Sequence, residues 1–185
     1  MAEKGVNLAI HYNSSEKPAE ETARKARSLG VKAITFEANF SHIGSVQALF
    51  PQIQRHFECV DILINNAAIY LPGEGLETSQ EAWEQQFQIN LETPFLLTKA
   101  FAKQLTEGRE GRVLNIADAQ ILQHRPDHFA YRLTKLALVE MTRMFALELA
   151  PQITVNALGL GVMLPLAGKE DIELQSYASK YVPLN

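Results

Sequence analysis

The chain has 185 residues, of which 46% are hydrophobic, and its formal net charge at pH 7 is −4. This length and apolar content predict a single domain spanning residues 1–185, with a core of useful size. Acidic and basic residues are interspersed without a basic run, so we expect no binding to nucleic acid or to an anionic membrane surface.

The cysteine, histidine and hydropathy patterns restrict the compartment and the chemistry. Cys59 is the only cysteine, which excludes an internal disulfide and is typical of a cytoplasmic protein. No apolar run has the length of a transmembrane helix, and MAEKG (1–5) lacks the apolar core of a signal peptide. The five histidines are scattered, so we expect no metal site.

Short apolar runs along the chain predict β-strands, and helical patterns separate them. The predicted strands are VNLAIHY (6–12), VKAITFEA (31–38), VDILINN (60–66), GRVLNIAD (111–118) and ITVNALG (153–159). The first helix is expected to begin after Ser14 or Ser15 and to end at Gly30. The second is expected to kink at Pro51.

The third and fourth helical patterns are longer. The third begins near Thr78 or Ser79 and runs to Leu105, with a bend expected at Pro94. The fourth begins just before Tyr131 and runs to about residue 150. Strict alternation of strands and helices predicts parallel strands joined by right-handed crossovers, which is a doubly wound α/β sheet.

Two parts of such a nucleotide-binding sheet are missing from the pattern. A doubly wound fold normally opens with a strand and a Gly-rich turn at a helix N-terminus. Here MAEKG (1–5) reads as the end of a helix leading into a strand, and no G-x-G-x-x-G occurs. The final SKYVPLN (179–185) stops without a closing strand. We therefore expect a sheet that is incomplete at both ends of the chain.

A catalytic group is predicted from Asp118, Tyr131 and Lys135. Asp118 ends a strand, where a parallel sheet presents its ligand-facing groups. Tyr131 and Lys135 are four residues apart on one helix, so the ammonium lies beside the ring. A free phenol titrates near pH ~10, and we expect the adjacent cation to lower that pKa. A Tyr-x-x-x-Lys spacing alone also occurs on ordinary surface helices, so the assignment depends on Asp118.

The order and spacing of several motifs resemble the short-chain dehydrogenase/reductase family. These motifs are NNAA (65–68) at a strand end, Asn90 in the next long helix, and then Asp118, Tyr131 and Lys135. The resemblance covers essentially the whole chain and implies a Rossmann-like fold. It further implies that Tyr131 is the proton donor and that Lys135 holds the cofactor ribose. An asparagine in the position of Asn90 opens the helix and holds a water behind the lysine.

The aspartate at position 118 narrows the resemblance, because the family usually has serine there. Asp, Tyr and Lys at this spacing resemble the pteridine reductases, which use NADPH. HYNSS (11–15) resembles their NADPH-selecting strand end, and Tyr70 falls where they carry an aromatic that sandwiches the pterin. Tyr70 and Asp118 are therefore the predicted substrate-binding residues. Ala68 and Leu160 depart from the pattern.

The predicted cofactor is NADPH rather than NADH. An acid after the first strand would repel a 2′-phosphate, whereas neutral donors at a helix start suit one. The predicted contacts are Asn13, Ser14, Ser15, Asn39, Asn66, Ala67, Tyr131, Lys135 and Gly161. Asn66 as a strand-end cap, Asn39 as a turn residue and Tyr70 as a loop aromatic remain open alternatives. Residues 163–166 (MLPL) are either the start of a substrate lid or a surface loop.

The sequence thus predicts an NADPH-dependent oxidoreductase that reduces a pterin or dihydropterin by hydride transfer. Two alternatives stay open: a carbonyl reductase, such as one acting on 3-oxoacyl-carrier-protein, or a truncated, non-catalytic remnant that binds cofactor poorly. In the family, the helices corresponding to 79–105 and 129–150 pack against their copies in a second subunit. The resemblance therefore implies a homo-oligomer, either a dimer or a tetramer.

Overall fold

A computed structural model describes residues 1–161, in which strands and helices alternate as predicted. The strands are β1 (Leu8–Tyr12), β2 (Ala33–Glu37), β3 (Ile62–Asn65), β4 (Gly111–Asp118) and β5 (Ile153–Leu160). The helices are α1 (Glu16–Ser28), α2 (Ile43–Gln54), α3 (Gln80–Phe87), α4 (Thr93–Gln104) and α5 (Phe129–Glu148). Each strand overlaps its predicted run. The residues before β1 form a short 3-10 helix (Ala2–Lys4) that ends at Gly5 in the left-handed conformation, φ 77°.

The third predicted helix is divided into three parts. Ser79 caps α3, because its Oγ accepts a hydrogen bond from the Ala82 N–H at 3.2 Å. A π-helical segment (Gln88–Glu92) separates α3 from α4, so the interruption lies upstream of Pro94. Since Pro94 has no N–H to offer the carbonyl of residue 90, the regular ladder cannot continue there. Pro51, where the sequence also predicts a kink, lies inside α2, and the helix continues beyond it to Gln54.

The strands form two separate parallel sheets. One sheet pairs β1 with β2, and the other has the order β3-β4-β5. The segments that precede β2 and β3 are adjacent, since the Lys32 ammonium lies 4.7 Å from the centroid of the Phe57 ring. Within residues 1–161 no strand lies between β1 and β3. The expected absence of the first strand of a doubly wound sheet is therefore confirmed.

A groove of about 810 Å³ separates the two sheets. The two edge strands β1 and β3 line it, together with apolar side chains of α2 and α4 such as Ile53 and Leu97. Ile62 and Ile64 of β3 are 36% and 41% exposed. Parallel strands are normally covered on both faces. In contrast, in the described part of the chain β3 has one unpaired edge along the groove and one exposed face.

The main core lies where α2, α4 and α5 cover the sheets. It contains Phe36, Val46, Phe50, Leu97, Phe101, Val113, Phe145 and Val155, among others. Gly111, at the start of β4, permits close packing of α4: a Cβ there would lie 2.4 Å from Leu105 Cδ1 and 2.8 Å from the Phe101 ring. A smaller cluster of Ala23, Ala26, Val31 and Ala33 joins α1 to the β1–β2 sheet. Both clusters fix the strands whose carboxyl ends carry the site.

None of the helices between residues 1 and 161 is long and apolar enough to cross a membrane. The candidate lid at 163–166 and the missing closing strand concern positions that lie outside the described residues.

Candidate active site

The predicted site residues outside the helices follow the carboxyl ends of the five strands. Residues 13–15 follow β1, Asn39 follows β2, residues 66–67 follow β3, Asp118 ends β4 and Gly161 follows β5. Because the carboxyl ends of parallel strands lie at one edge of a sheet, each sheet brings its own members together. Asp118 lies on the three-stranded sheet, and Tyr131 and Lys135 lie on α5, which packs against β4 and β5 of that sheet. Residues 13–15 and Asn39 follow the two strands of the other sheet.

Asp118 and Tyr131 are in direct contact. The Tyr131 hydroxyl donates a hydrogen bond to Asp118 Oδ2 at 3.2 Å. The other carboxylate oxygen, Oδ1, accepts the Gln120 N–H at 2.7 Å and thereby caps the turn that follows β4. Both side chains are half-buried. The strand end and the first turn of α5 therefore hold a phenol and a carboxylate in a fixed pair.

Lys135 lies one turn further along α5 and is almost fully buried, with 3% of its surface exposed. Its Nζ donates to the Ile116 carbonyl at 2.7 Å and lies 5.8 Å from the centroid of the Tyr131 ring. Burial lowers the pKa of Lys135 to about 8, against the opposing effect of the Asp118 charge. An ammonium has three N–H donors, so two remain for other acceptors after the bond to Ile116.

The pKa of Tyr131 is shifted in the opposite direction from the prediction. Burial of the phenol raises the pKa above its ordinary value, and the Asp118 charge and hydrogen bond raise it further. The Arg132 charge opposes this shift, whereas Lys135 is not among its causes. The expected lowering by Lys135 is therefore wrong for this structure. A phenolate would lose its hydration and face the Asp118 carboxylate, and both effects favour the protonated form.

Asn90 lies in the π-helical segment and is 1% exposed. Its Oδ1 accepts the Ile69 N–H and its Nδ2 donates to the Ile69 carbonyl, both at 2.9 Å. Nδ2 also lies 3.3 Å from Thr134 Oγ1, which donates to the Tyr131 carbonyl at 2.7 Å. Asn90 therefore joins the loop after β3 to the catalytic helix. The hydrogen bonds of its side chain go to Ile69 and Thr134, and not to the Tyr131 hydroxyl or the Lys135 ammonium.

Arg132 is a residue that sequence reasoning missed. Its Nη1 donates to the Gln120 carbonyl at 3.1 Å, and its Nε donates to the Asp127 carbonyl at 2.9 Å. Its Nη2 forms an ion pair with the Asp127 carboxylate at 3.2 Å. These contacts fix the segment after Asp118 against the start of α5. No local spacing signals them, because they depend on how the 119–128 segment returns to the helix.

Tyr70 lies beside Tyr131, as expected of a substrate-binding residue. The two ring centroids are 4.6 Å apart at an angle of 83°. The ring of Tyr70 also stacks on His128, at 3.9 Å and 6°. Half of the Tyr70 side chain is exposed (50%), so solvent and solutes reach a ring that is already fixed by two neighbours.

Some of the predicted cofactor-binding residues already form hydrogen bonds within the protein, whereas others are exposed. Residues 13–15 are exposed, and Ser15 precedes α1 without a side-chain cap bond, so α1 begins with uncapped N–H groups. The Asn39 carboxamide oxygen accepts the Ser41 N–H at 2.9 Å, which confirms the turn-forming alternative for this oxygen. Asn66 and Ala67 line the groove at the end of β3.

Within residues 1–161, the predicted contacts therefore offer polar groups to a phosphorylated dinucleotide at two places. The α1 N-terminus with its serines suits a phosphate. For a ribose, Lys135 offers ammonium donors and Tyr131 offers the lone pairs of its hydroxyl oxygen, since the hydroxyl proton is bonded to Asp118. Between them lies the groove, whose edge at β3 carries the buried Asn65 with its Oδ1 unpaired. The donor set fits a phosphorylated dinucleotide at both ends and leaves its centre without a cradle.

Lys135→Met is expected to raise the free energy of unfolding at neutral pH. The pKa of Lys135 falls from 10.5 to about 8 on folding. At ~1.36 kcal/mol per pKa unit, burying the charged ammonium lowers the free energy of unfolding by about 3 kcal/mol. Loss of the hydrogen bond to Ile116 in the variant offsets part of the gain. Between pH 8 and 10 the unfolded wild-type chain binds more protons than the folded chain, so its free energy of unfolding rises with pH. The difference in this free energy between Lys135→Met and the wild-type chain should therefore shrink. Urea unfolding across this range measures it. The exposed Lys103→Met is the control, and a pH-independent difference would contradict the assignment.

Comparison with known proteins agrees with this geometry. The sequence model of the short chain dehydrogenase family matches residues 1–173. A short-chain type dehydrogenase/reductase of Picea abies is 34% identical over 189 residues, which cover 95% of this chain and 69% of that protein. The 3-oxoacyl-[acyl-carrier-protein] reductase FabG of Staphylococcus aureus is 28% identical over 162 residues, covering 87% of this chain and 66% of its own length.

Solved structures show the same relationship. FolM alternative dihydrofolate reductase 1 from Brucella canis, complexed with NADP, superimposes with a TM-score of 0.90 at 31% identity. The superposition covers 99% of this chain and 72% of that chain. With a family match over nearly the whole sequence and the Asp118, Tyr131 and Lys135 side chains assembled at the strand ends, the chain belongs to the short-chain dehydrogenase family.

Proposed function

We propose that this oxidoreductase uses NADPH to reduce a pterin or dihydropterin, with Tyr131 as the proton donor. The observation that carries the proposal is the hydrogen bond from the Tyr131 hydroxyl to the Asp118 carboxylate at 3.2 Å. A carboxylate in this place offers paired acceptors to an amino-pyrimidine edge, which a serine hydroxyl cannot do. The similarity to a dihydrofolate reductase complexed with NADP supports both the substrate class and the cofactor.

The raised pKa of Tyr131 sets the protonation state of the phenol. At neutral pH burial and the Asp118 charge keep the phenol protonated, as a proton donor requires. Asp118 fixes the direction of the hydroxyl through Oδ2, and its own place is fixed by the Gln120 N–H. The proton can then pass to a substrate nitrogen or oxygen within hydrogen-bond reach of the Tyr131 hydroxyl when that hydroxyl turns from Oδ2, and the phenolate takes a proton back from solvent.

The remaining residues have supporting roles in the proposal. Tyr131 and Lys135 would hold the nicotinamide ribose, and residues 13–15 would hold the 2′-phosphate at the start of α1. The bound nicotinamide supplies the hydride. Asn90 orders the loop that carries Tyr70 through its paired bonds to Ile69, and Tyr70 provides a ring against which a flat substrate stacks.

Asp118→Ser tests the substrate assignment. It should lower the rate of dihydrobiopterin reduction roughly tenfold or more relative to the rate with diacetyl, a small dicarbonyl, because one good charge-assisted contact is worth about 1.5–3 kcal/mol. The steady-state assay uses the chain preceded by the amino-terminal strand, Gly-rich turn and helix of a short-chain reductase. We call this fusion the extended chain.

The control for this test is Asp61→Ser, an exposed aspartate before β3 that lies at the opposite end of the groove. It should change neither rate. Equal losses on both substrates with Asp118→Ser would favour a carbonyl reductase, the activity for which the S. aureus relative is named.

We also propose that the chain self-associates through α4 and α5. Phe95, Met144 and Leu147 are 38%, 70% and 83% exposed on these helices. Leu97, Phe101 and Phe145 are committed to the core of the chain itself, so the remaining apolar surface is narrower than the sequence pattern alone indicates. An exposed apolar patch of this kind is typical of an interface between subunits.

A further inference from the structure

His128, the residue before α5, has an unusual backbone conformation. Its φ and ψ are 51° and 44°, and it is the only non-glycine residue in the described part of the chain with a positive φ. This left-handed region is disfavoured for residues with a side chain. Strained residues persist where the surroundings hold them, and they occur most often at functional sites.

Contacts on both sides of His128 maintain this conformation. The Phe129 N–H donates to the Gly73 carbonyl at 2.9 Å, which ties the start of α5 to the loop after β3. The Arg132 N–H donates to the His128 carbonyl at 3.0 Å, and Arg132 Nε holds the Asp127 carbonyl at 2.9 Å. The backbone is therefore fixed before, at and after His128.

The fixed backbone places the imidazole flat against Tyr70. The ring centroids are 3.9 Å apart and the planes differ by 6°. Tyr70 in turn meets the Tyr131 ring nearly at a right angle, at 4.6 Å. His128, Tyr70 and Tyr131 thus form a continuous row of rings from the start of α5 to the proton donor.

We propose that His128 is a positioning residue that holds Tyr70 beside Tyr131 as a preformed wall for a flat heteroaromatic substrate. With one face packed on His128, the Tyr70 ring cannot rotate without breaking the stack, so a flat ligand does not have to order it on binding. This inference rests on the proposed function for the identity of the ligand. Its structural part, the control of Tyr70 by His128, is independent of turnover.

The first test is proton NMR of the 185-residue chain without ligand. The ring protons of His128 should be shifted upfield by the stacked phenol ring, and Tyr70→Leu should abolish this shift. Tyr12→Phe, in β1, should leave it unchanged. A His128 ring at ordinary chemical shifts in the wild-type chain would overturn the proposal.

The second test compares two substitutions at position 128 by titration with dihydrobiopterin. His128→Asn keeps a residue that tolerates the left-handed conformation but removes the ring, and it should weaken binding about threefold to tenfold. His128→Phe retains a stacking ring and should restore binding. A loss in both variants would show that a stacking ring at position 128 is not what supports binding, and would overturn the proposal.

The two tests separate this inference from the proposed function. If Tyr70→Leu abolishes the His128 shift but dihydrobiopterin perturbs neither ring even at millimolar concentration, the positioning role stands and the pterin assignment fails. If dihydrobiopterin binds equally to the wild-type chain and to His128→Asn, the pterin assignment stands and the positioning role fails.

Discussion

Replacing Tyr131 with phenylalanine is expected to lower turnover of the extended chain by roughly 10²–10⁴-fold, the usual contribution of a positioned acid or base. The substitution removes one hydroxyl and its bond to Asp118 Oδ2 at 3.2 Å. The ring, which packs against Tyr70 and lies over Lys135, remains. Steady-state oxidation of NADPH with dihydrobiopterin measures the loss, and circular dichroism shows whether the fold is retained.

The control is Thr154→Val, which removes an exposed hydroxyl near the start of β5, away from the strand ends that carry the site. It should leave turnover close to that of the wild-type chain. Near wild-type activity in Tyr131→Phe would end the assignment of Tyr131 as proton donor. The transfer would then have to come from Asp118 or from water.

The 185-residue chain by itself is expected to bind NADPH at least roughly a hundredfold more weakly than the extended chain, and to show no turnover. The pyrophosphate normally receives several charge-assisted hydrogen bonds, each worth about 1.5–3 kcal/mol, and a tenfold change in affinity corresponds to about 1.4 kcal/mol. The two places with suitable donors also lie on helices that pack on different sheets, α1 on β1–β2 and α5 on β4–β5, and the groove between β1 and β3 separates these sheets. Titration of NADPH fluorescence measures the affinity.

The extended chain provides the comparison, since its added strand can pair with the open edges of β1 and β3 and its Gly-rich turn can supply the missing N–H donors. A second comparison is the extended chain with proline in the middle of the added strand, which removes a ladder hydrogen bond and should lose the gain. Saturable binding at micromolar NADPH to the 185-residue chain would contradict the prediction.

The sequence by itself determined the order and type of the elements. Hydrophobic periodicity is a local property, so the five strands and the order of strands and helices were predicted as observed, although the third predicted helix is divided by the π-helical segment. The absence of a Gly-rich turn is equally local, and the absent strand between β1 and β3 followed from it together with the family resemblance. The proximity of Tyr131 to Lys135 also followed from sequence, because four residues on a helix make one turn.

Only the tertiary structure decided the electrostatics and the neighbours of these residues. The pKa of Tyr131 is raised because burial and the Asp118 carboxylate outweigh any effect of Lys135, and burial is set by the packing of distant segments. The partners of Asn90 are Ile69 and Thr134, which lie on two other elements. The stack of Tyr70 on His128 likewise joins two loops far apart in the chain. A spacing rule describes one helix or one strand, whereas these contacts exist only after separate elements have packed together.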